Sequence, residues 1–167
     1  MVIAMQQCNA SKHAGFTLTE IAITLSIVGV MAAMAVPSLS NLTRGTRVKR
    51  AATDMLATLA YARSEAISRN AQVSIVASGT WSAGWQVVAG ATVLRQSTFN
   101  GEVAVSGPDG NTVSYNPNGR LAALPTLNFS FSVPGDGQVL MRCVSATLMG
   151  QPVLQVDANR DGDCRNG

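Results

Sequence analysis

The sequence predicts an α+β fold in which one long N-terminal helix, its first half apolar enough to enter lipid, packs on an antiparallel β-sheet domain. Three observations carry that expectation. Phe16 to Val36 is a nearly unbroken apolar run, and an apolar stripe at helical spacing follows it. From Gln72 onward the pattern changes to short runs rich in Val, Thr and aromatic residues, separated by turn residues.

Within the apolar run, Ile21 to Val36 carries only Thr24 and Ser26 as polar side chains. Both hydroxyls can return a hydrogen bond to a helix carbonyl one turn back, so the segment tolerates lipid. It is long enough to cross a hydrocarbon core of about 30 Å at about 1.5 Å per residue. Pro37 marks the end of this helix or a kink within it. One carboxylate, Glu20, sits near the start of the run, where an unpaired charge is costly. A plain membrane anchor would let it snorkel to the headgroups.

After Pro37, Val48, Ala52, Met55, Leu59, Ala62 and Ala66 recur at spacings of four and three and define a core-facing stripe. The other side carries Arg47, Arg50, Asp54, Arg63 and Arg69, with Arg50 and Asp54 placed to pair across one turn. The helix is expected to end near Asn70; unbroken from Phe16, it would be about 80 Å long. Arg44, Arg47, Lys49 and Arg50 follow the apolar run, whereas Lys12 alone of the Lys and Arg residues precedes it. That reverses the usual positive-inside bias. A solvated face and a contact with anionic headgroups both fit this basic group.

The segments QVSIVAS, GWQVVAG, TVLRQSTF, EVAVSG, TVSYNP, LNFSFSV, QVLMRCVS and PVLQVD read as short strands. Pro108-Asp109-Gly110, Asn118-Gly119 and Pro134-Gly135 punctuate them. Trp81 and Trp85, four apart in a strand setting, fall on one face, where core packing explains them better than ligand stacking.

Cys8 precedes the apolar run, while Cys143 and Cys164 lie near the C-terminus. In an oxidising compartment the latter two form an even set whose default is a disulfide, worth roughly 3 kcal/mol by loop-closure reasoning. Two buried free thiols are the alternative, although Cys164 sits in a polar, glycine-containing tail.

Lys12, His13, Ala14 and Gly15 place a small residue directly before the apolar run, so a cut there removes a leader and keeps the hydrophobic segment. Gly15-Phe16-Thr17-Leu18-Thr19-Glu20, the run and Pro37 resemble the class III signal of type IV pilins and type II secretion pseudopilins. YARSEAISRNAQVSI, then Trp81-Ser82-Ala83-Gly84-Trp85, then YNPNGRL are similar to the GspH/FimT subgroup of minor pilins and pseudopilins. The resemblance implies a pilin-like fold, cleavage after Gly15 by a prepilin peptidase and N-methylation of Phe16. It also implies assembly through Phe16, Glu20 and the helix up to Pro37, with Glu20 pairing with the new amine of a neighbouring subunit. The implied divisions are a leader at 1–15, an assembly and transmembrane half at 16–37, an amphipathic half at 38–70 and a β-rich domain at 71–167. The implied role is a subunit of the tip or priming complex of a type IV pilus or type II secretion pseudopilus. Its partners would be major and minor pilins or pseudopilins. Such a protein crosses the inner membrane once, with its C-terminal domain in the periplasm.

Several chemistries find no support in the sequence. His13, the lone histidine, would leave with the leader, so the mature chain has no imidazole for a triad, a proton shuttle or a zinc site. No phosphate-binding glycine loop followed by Lys-Ser or Lys-Thr occurs, and an enzyme is not expected. A formal charge of +3 from 12 basic and 9 acidic residues is too small to indicate nucleic acid without a cluster, and 5% aromatics do not suggest a base-stacking surface.

Two binding hypotheses stand. Asp157, Asn159 and Asp161 alternate and Gly162 follows, as in the first half of a calcium loop, with Asp163 beside them; a polar turn is the alternative. No other cofactor is expected. DNA capture, known in some FimT-like minor pilins that carry a Gly-Arg-x-Arg stretch, would draw on Arg120, Arg142, Arg160 and Arg165. Here Gly119-Arg120-Leu121-Ala122 keeps only the first half of that stretch, and Asp157, Asp161 and Asp163 dilute the other arginines.

Overall fold

The computed structural model describes residues 15–99, 101–123 and 126–165, with the side chains of 34–41 outside the description. Cys8, Lys12, His13 and the leader other than Gly15 lie outside the described residues, as does the side chain of Pro37. The chain divides into two units, Met1–Leu39 and Ser40–Gly167.

A single helix, α1, spans Leu18–Arg69 and passes through Pro37 rather than ending there. Thr17 caps its start: its hydroxyl accepts from the Glu20 N–H at 3.3 Å, and the Glu20 carboxylate lies 3.5 Å from the Thr17 N–H that points at it. This is the reciprocal Thr-x-x-Glu capping box, which satisfies two backbone donors left open at a helix start. Thr24 and Ser26 donate to the carbonyls of Ile21 and Ala22, the back-bonding that makes hydroxyls tolerable in an apolar helix.

In the second unit the expected stripe is fully enclosed: Val48, Ala52, Met55, Leu59, Ala62 and Ala66 are all buried, joined by Ala51 and Thr58. They pack on strands β1 (Val73–Ser78), β2 (Thr80–Ala89), β3 (Thr92–Thr98), β4 (Ala104–Ser106), β5 (Thr112–Tyr115), β6 (Thr126–Ser132), β7 (Arg142–Thr147) and β8 (Pro152–Val156). The strands form two four-stranded sheets instead of one, in the orders β3-β2-β1-β5 and β4-β6-β7-β8, and every pairing is antiparallel. Residues 138–141, read from the sequence as the start of a strand, precede β7.

Alternation explains which faces meet. In β6, Leu127, Phe129 and Phe131 are buried between more exposed Thr126, Asn128 and Ser130, so one face closes a core. Both tryptophans are core residues, as their spacing predicts. Trp81 meets Phe129 edge to face at 4.8 Å between ring centroids, joining the two sheets. Trp85 packs on Phe99 and donates its indole N–H to Thr58 Oγ1 at 3.2 Å, joining sheet and helix. Ser82 stitches β2 to β4, accepting from the Val105 N–H at 2.9 Å. A glycine is required at position 84: a Cβ there would lie 2.2 Å from the Ser97 carbonyl oxygen on β3, and φ is +130°.

Asp54 pairs with Arg95 of β3 at 2.8 Å, where the sequence suggested Arg50. The cross-element partner wins because burial of the neighbouring stripe residues, Ala51 and Met55, presses this part of the helix against the sheet. The sequence spacing that favours Arg50 contains no information about that neighbour.

Candidate functional site

Three places hold the residues that the sequence singled out. The first is the start of α1. Gly15, Phe16 and Glu20 are all exposed there, Phe16 at 80% and Leu18 at 86%. Ile21, Ile23, Leu25, Ile27, Val28, Val30 and Met31 continue as exposed apolar side chains around the whole helix. A helix apolar on every side has no solvated face and demands an apolar surrounding. Among the described residues no helix is long and apolar enough to cross a membrane; the expected run continues beyond residue 33 into positions whose side chains are outside the description.

Glu20 is therefore a carboxylate within an apolar surface, held at the positive end of the helix dipole by its capping geometry. Beside the assembly role that the resemblance implies, Thr17-x-x-Glu20 is a capping signal that the sequence itself carries. The two uses are compatible in sequence, since an amine at Phe16 would lie within one turn of the same carboxylate.

The second place is the basic segment after the apolar run. Arg44 pairs with Asp136 at 3.1 Å, and Arg47 pairs with Glu102. The Gln138 backbone N–H and then the Arg44 guanidinium hold the Asp136 carboxyl below the usual carboxylate range. Two of the four cations that follow the apolar run thus pair with carboxylates of the β-rich domain. Lys49 and Arg50 line a groove with Thr46, Thr53, Thr98 and Phe99.

The third place is the C-terminal segment. Cys143 and Cys164 are joined by a disulfide with 6.0 Å between Cα atoms, which settles the alternative of free thiols. Asp157 is buried, and its Oδ2 accepts from the Gly162 N–H at 2.9 Å. Asn159 donates to Asp161 Oδ2 at 3.0 Å, and Asp161 Oδ1 accepts from the Asp163 N–H at 2.8 Å. Asp163 in turn accepts from the Arg165 N–H. Among the described residues, no three or more His, Cys, Asp or Glu side chains are grouped to hold a metal ion.

The arginines considered for DNA do not make a surface of one sign. Arg160 and Arg165 are exposed on this carboxylate-rich segment, and Arg165 lies 3.5 Å from Asp163. Arg142 is half-buried at the start of β7, opposite Val156, and Arg120 is exposed on the loop after β5 in the other sheet. That loop serves the fold: Asn116 Oδ1 accepts from the N–H groups of Asn118 and Arg120, and Arg63 donates to the Gly119 carbonyl at 2.9 Å. Beside it, the buried Tyr115 hydroxyl donates to the Gly150 carbonyl, and burial pushes its pKa up to about 12 against a weaker lowering by Arg63.

Comparison with known proteins adds the remaining observations. Residues 51–150 match the family described as Type II transport protein GspH, and residues 10–36 match the prokaryotic N-terminal methylation motif. The fold is similar to that of the type IV minor pilin FimU of Pseudomonas aeruginosa in two crystal forms. One gives a TM-score of 0.57 at 25% identity, covering 64% of this chain and 91% of that one. The other gives 0.58 at 24% identity, covering 71% and 96%. No curated protein matches the chain.

Proposed function

The chain belongs to the GspH family of type II transport proteins, and from that premise we propose that it is a minor subunit assembled into the tip or priming complex of a type IV pilus or type II secretion pseudopilus. A prepilin peptidase cuts after Gly15, and the new Phe16 amine is methylated; the match to the methylation motif across this junction supports both steps. The subunit waits in the inner membrane with its β-rich domain in the periplasm, an orientation supported by the Cys143–Cys164 disulfide, which calls for an oxidising compartment.

One observation carries this reading: the apolar start of α1 exposes large side chains all round and carries one carboxylate, Glu20, in its first turn. Lipid covers the apolar surface before assembly and neighbouring helices cover it afterwards. In either setting an isolated carboxylate is unfavourable, so the amine released by cleavage is the partner that relieves it. Pairing with the amine of the next subunit makes Glu20 a register for stacking. The work of the molecule is binding and assembly, with no catalytic step.

The test is Glu20→Gln in cells producing the filament, with membrane and sheared-filament fractions assayed separately. The variant should be processed and found in the membrane but missing from filaments. Normal incorporation would overturn the pairing role. DNA capture has weaker support, because the candidate arginines alternate with carboxylates. Salt-sensitive duplex binding that disappears when Arg142, Arg160 and Arg165 are replaced together would establish it instead.

A further inference from the structure

We propose that the segment Asp157–Asp163 is a calcium site of low affinity, held open at the end of β8 by the disulfide. The spacing Asp-x-Asn-x-Asp-Gly places oxygen-bearing side chains at the first, third and fifth positions of a loop and glycine at the sixth, the order that calcium loops use.

The structure adds what spacing alone cannot. Asp157 is only 3% exposed. Its Oδ2 receives the Gly162 N–H, so the first and sixth positions are tied together and the carboxylate faces into the turn. Its Oδ1 is also buried, yet among the described residues no hydrogen-bond donor reaches it. A buried carboxylate oxygen without a partner is a costly arrangement that water or a cation relieves. Within the same turn, Asn159 and Asp161 touch through their side chains, which puts both on one side of the loop. Gly162 has φ +86°, a left-handed conformation that side chains resist, and it makes the bend that turns the chain back toward Asp157.

Both ends of the segment are anchored to the same neighbourhood. The Asp157 N–H donates to the Met141 carbonyl at 3.0 Å, and Cys164 is bonded to Cys143 on β7. These two anchors order the loop from both ends, which lowers the ordering cost of binding. Its donors are all oxygen: the carboxylates of Asp157 and Asp161, the amide oxygen of Asn159 once the amide turns, and the Asp163 carbonyl at the seventh position. Calcium accepts six to eight oxygens in flexible geometry and fills the remainder with water, whereas magnesium requires a tighter octahedron. Two carboxylates beside Arg160 and Arg165 place the affinity at about 10⁻⁴–10⁻³ M, the range of extracellular modules.

The experiment is a thermal unfolding series on the full chain in neutral detergent, with calcium chloride raised to roughly ten times that range at constant ionic strength, and magnesium chloride run in parallel. Calcium should raise Tm by several degrees, and magnesium by clearly less. Asp161→Asn, an exposed substitution that loses the Asn159 hydrogen bond, should lower Tm without calcium only slightly and remove the calcium shift. Arg160→Asn tolerates the left-handed backbone seen there, φ 61°, and should move the calcium midpoint severalfold lower. No calcium shift in the unmodified chain, an equal shift with magnesium, or a full shift in Asp161→Asn would each overturn the proposal.

Discussion

The two parts of α1 have the same backbone and opposite surroundings. From Phe16 to Met31 the large apolar side chains are exposed on every side; from Val48 to Ala66 the apolar stripe is completely buried against strands of its own domain. The second part is amphipathic, with one face to close and a sheet to close it. The first has no polar face to turn toward water and demands an apolar surrounding. On the proposed reading, local folding and assembly fall to separate stretches of one helix, and substitutions in the two should act on different measurements.

The largest expected effect is in the buried part. Leu59→Ala empties a site with no solvent access and should cost ~2–5 kcal/mol of unfolding free energy, read by denaturant titration of the detergent-solubilised chain. Insertion of the first part into membrane should be unchanged. A cost below about 1 kcal/mol would mean that the domain closes over the cavity, and the contrast between the two parts would weaken.

Next is the disulfide, which closes a loop with a sequence separation of 21. Replacing Cys143 and Cys164 together by Ala should cost about 3 kcal/mol, with the loss confined to the β-rich domain. Protease sensitivity should increase around β7 and β8 while the start of α1 retains its membrane protection. Cleavage appearing first at the start of α1 would show that the two parts are not separate in stability.

A third effect depends on pH. The Tyr115 pKa is raised from 10.0 to about 12, with burial as the main cause. The folded chain therefore holds the phenolic proton more tightly than the unfolded chain. This stabilisation is complete below about pH 10 and disappears as pH rises toward about pH 12. Tyr115→Phe should flatten that alkaline decline and, by removing the hydrogen bond to Gly150, cost about 1 kcal/mol near neutrality. An unchanged alkaline slope would assign the decline to other groups.

How much of this was legible in the sequence follows from the range of each interaction. The stripe from Val48 to Ala66, the strand segments, the core role of Trp81 and Trp85 and the cysteine pair could all be read, because period and composition are local signals. The division into two sheets could not, because β1 pairs with β5 across three intervening strands and short apolar runs do not name their partners. The pairing of Asp54 with Arg95 was hidden for the same reason. The Thr17–Glu20 cap is a local signal, since Thr-x-x-Glu at a helix start stands in the sequence itself. At the C-terminal loop, spacing suggests the donors, but only the fold shows that an Asp157 oxygen is buried with no hydrogen-bond partner among the described residues.

The smallest expected effect tests the contrast most directly. Leu25→Ala removes the same number of atoms as Leu59→Ala from a side chain that is 65% exposed in the isolated chain. From so exposed a site, unfolding free energy should change by no more than about 0.5 kcal/mol. Incorporation into filaments should nevertheless fall, since neighbouring helices would meet a smaller side chain in a packed array. A stability loss matching that of Leu59→Ala would show that the first part of α1 is buried against its own domain, and the separation of folding from assembly would fail. Unchanged stability with reduced incorporation would locate the missing contacts of Leu25 in the other subunits.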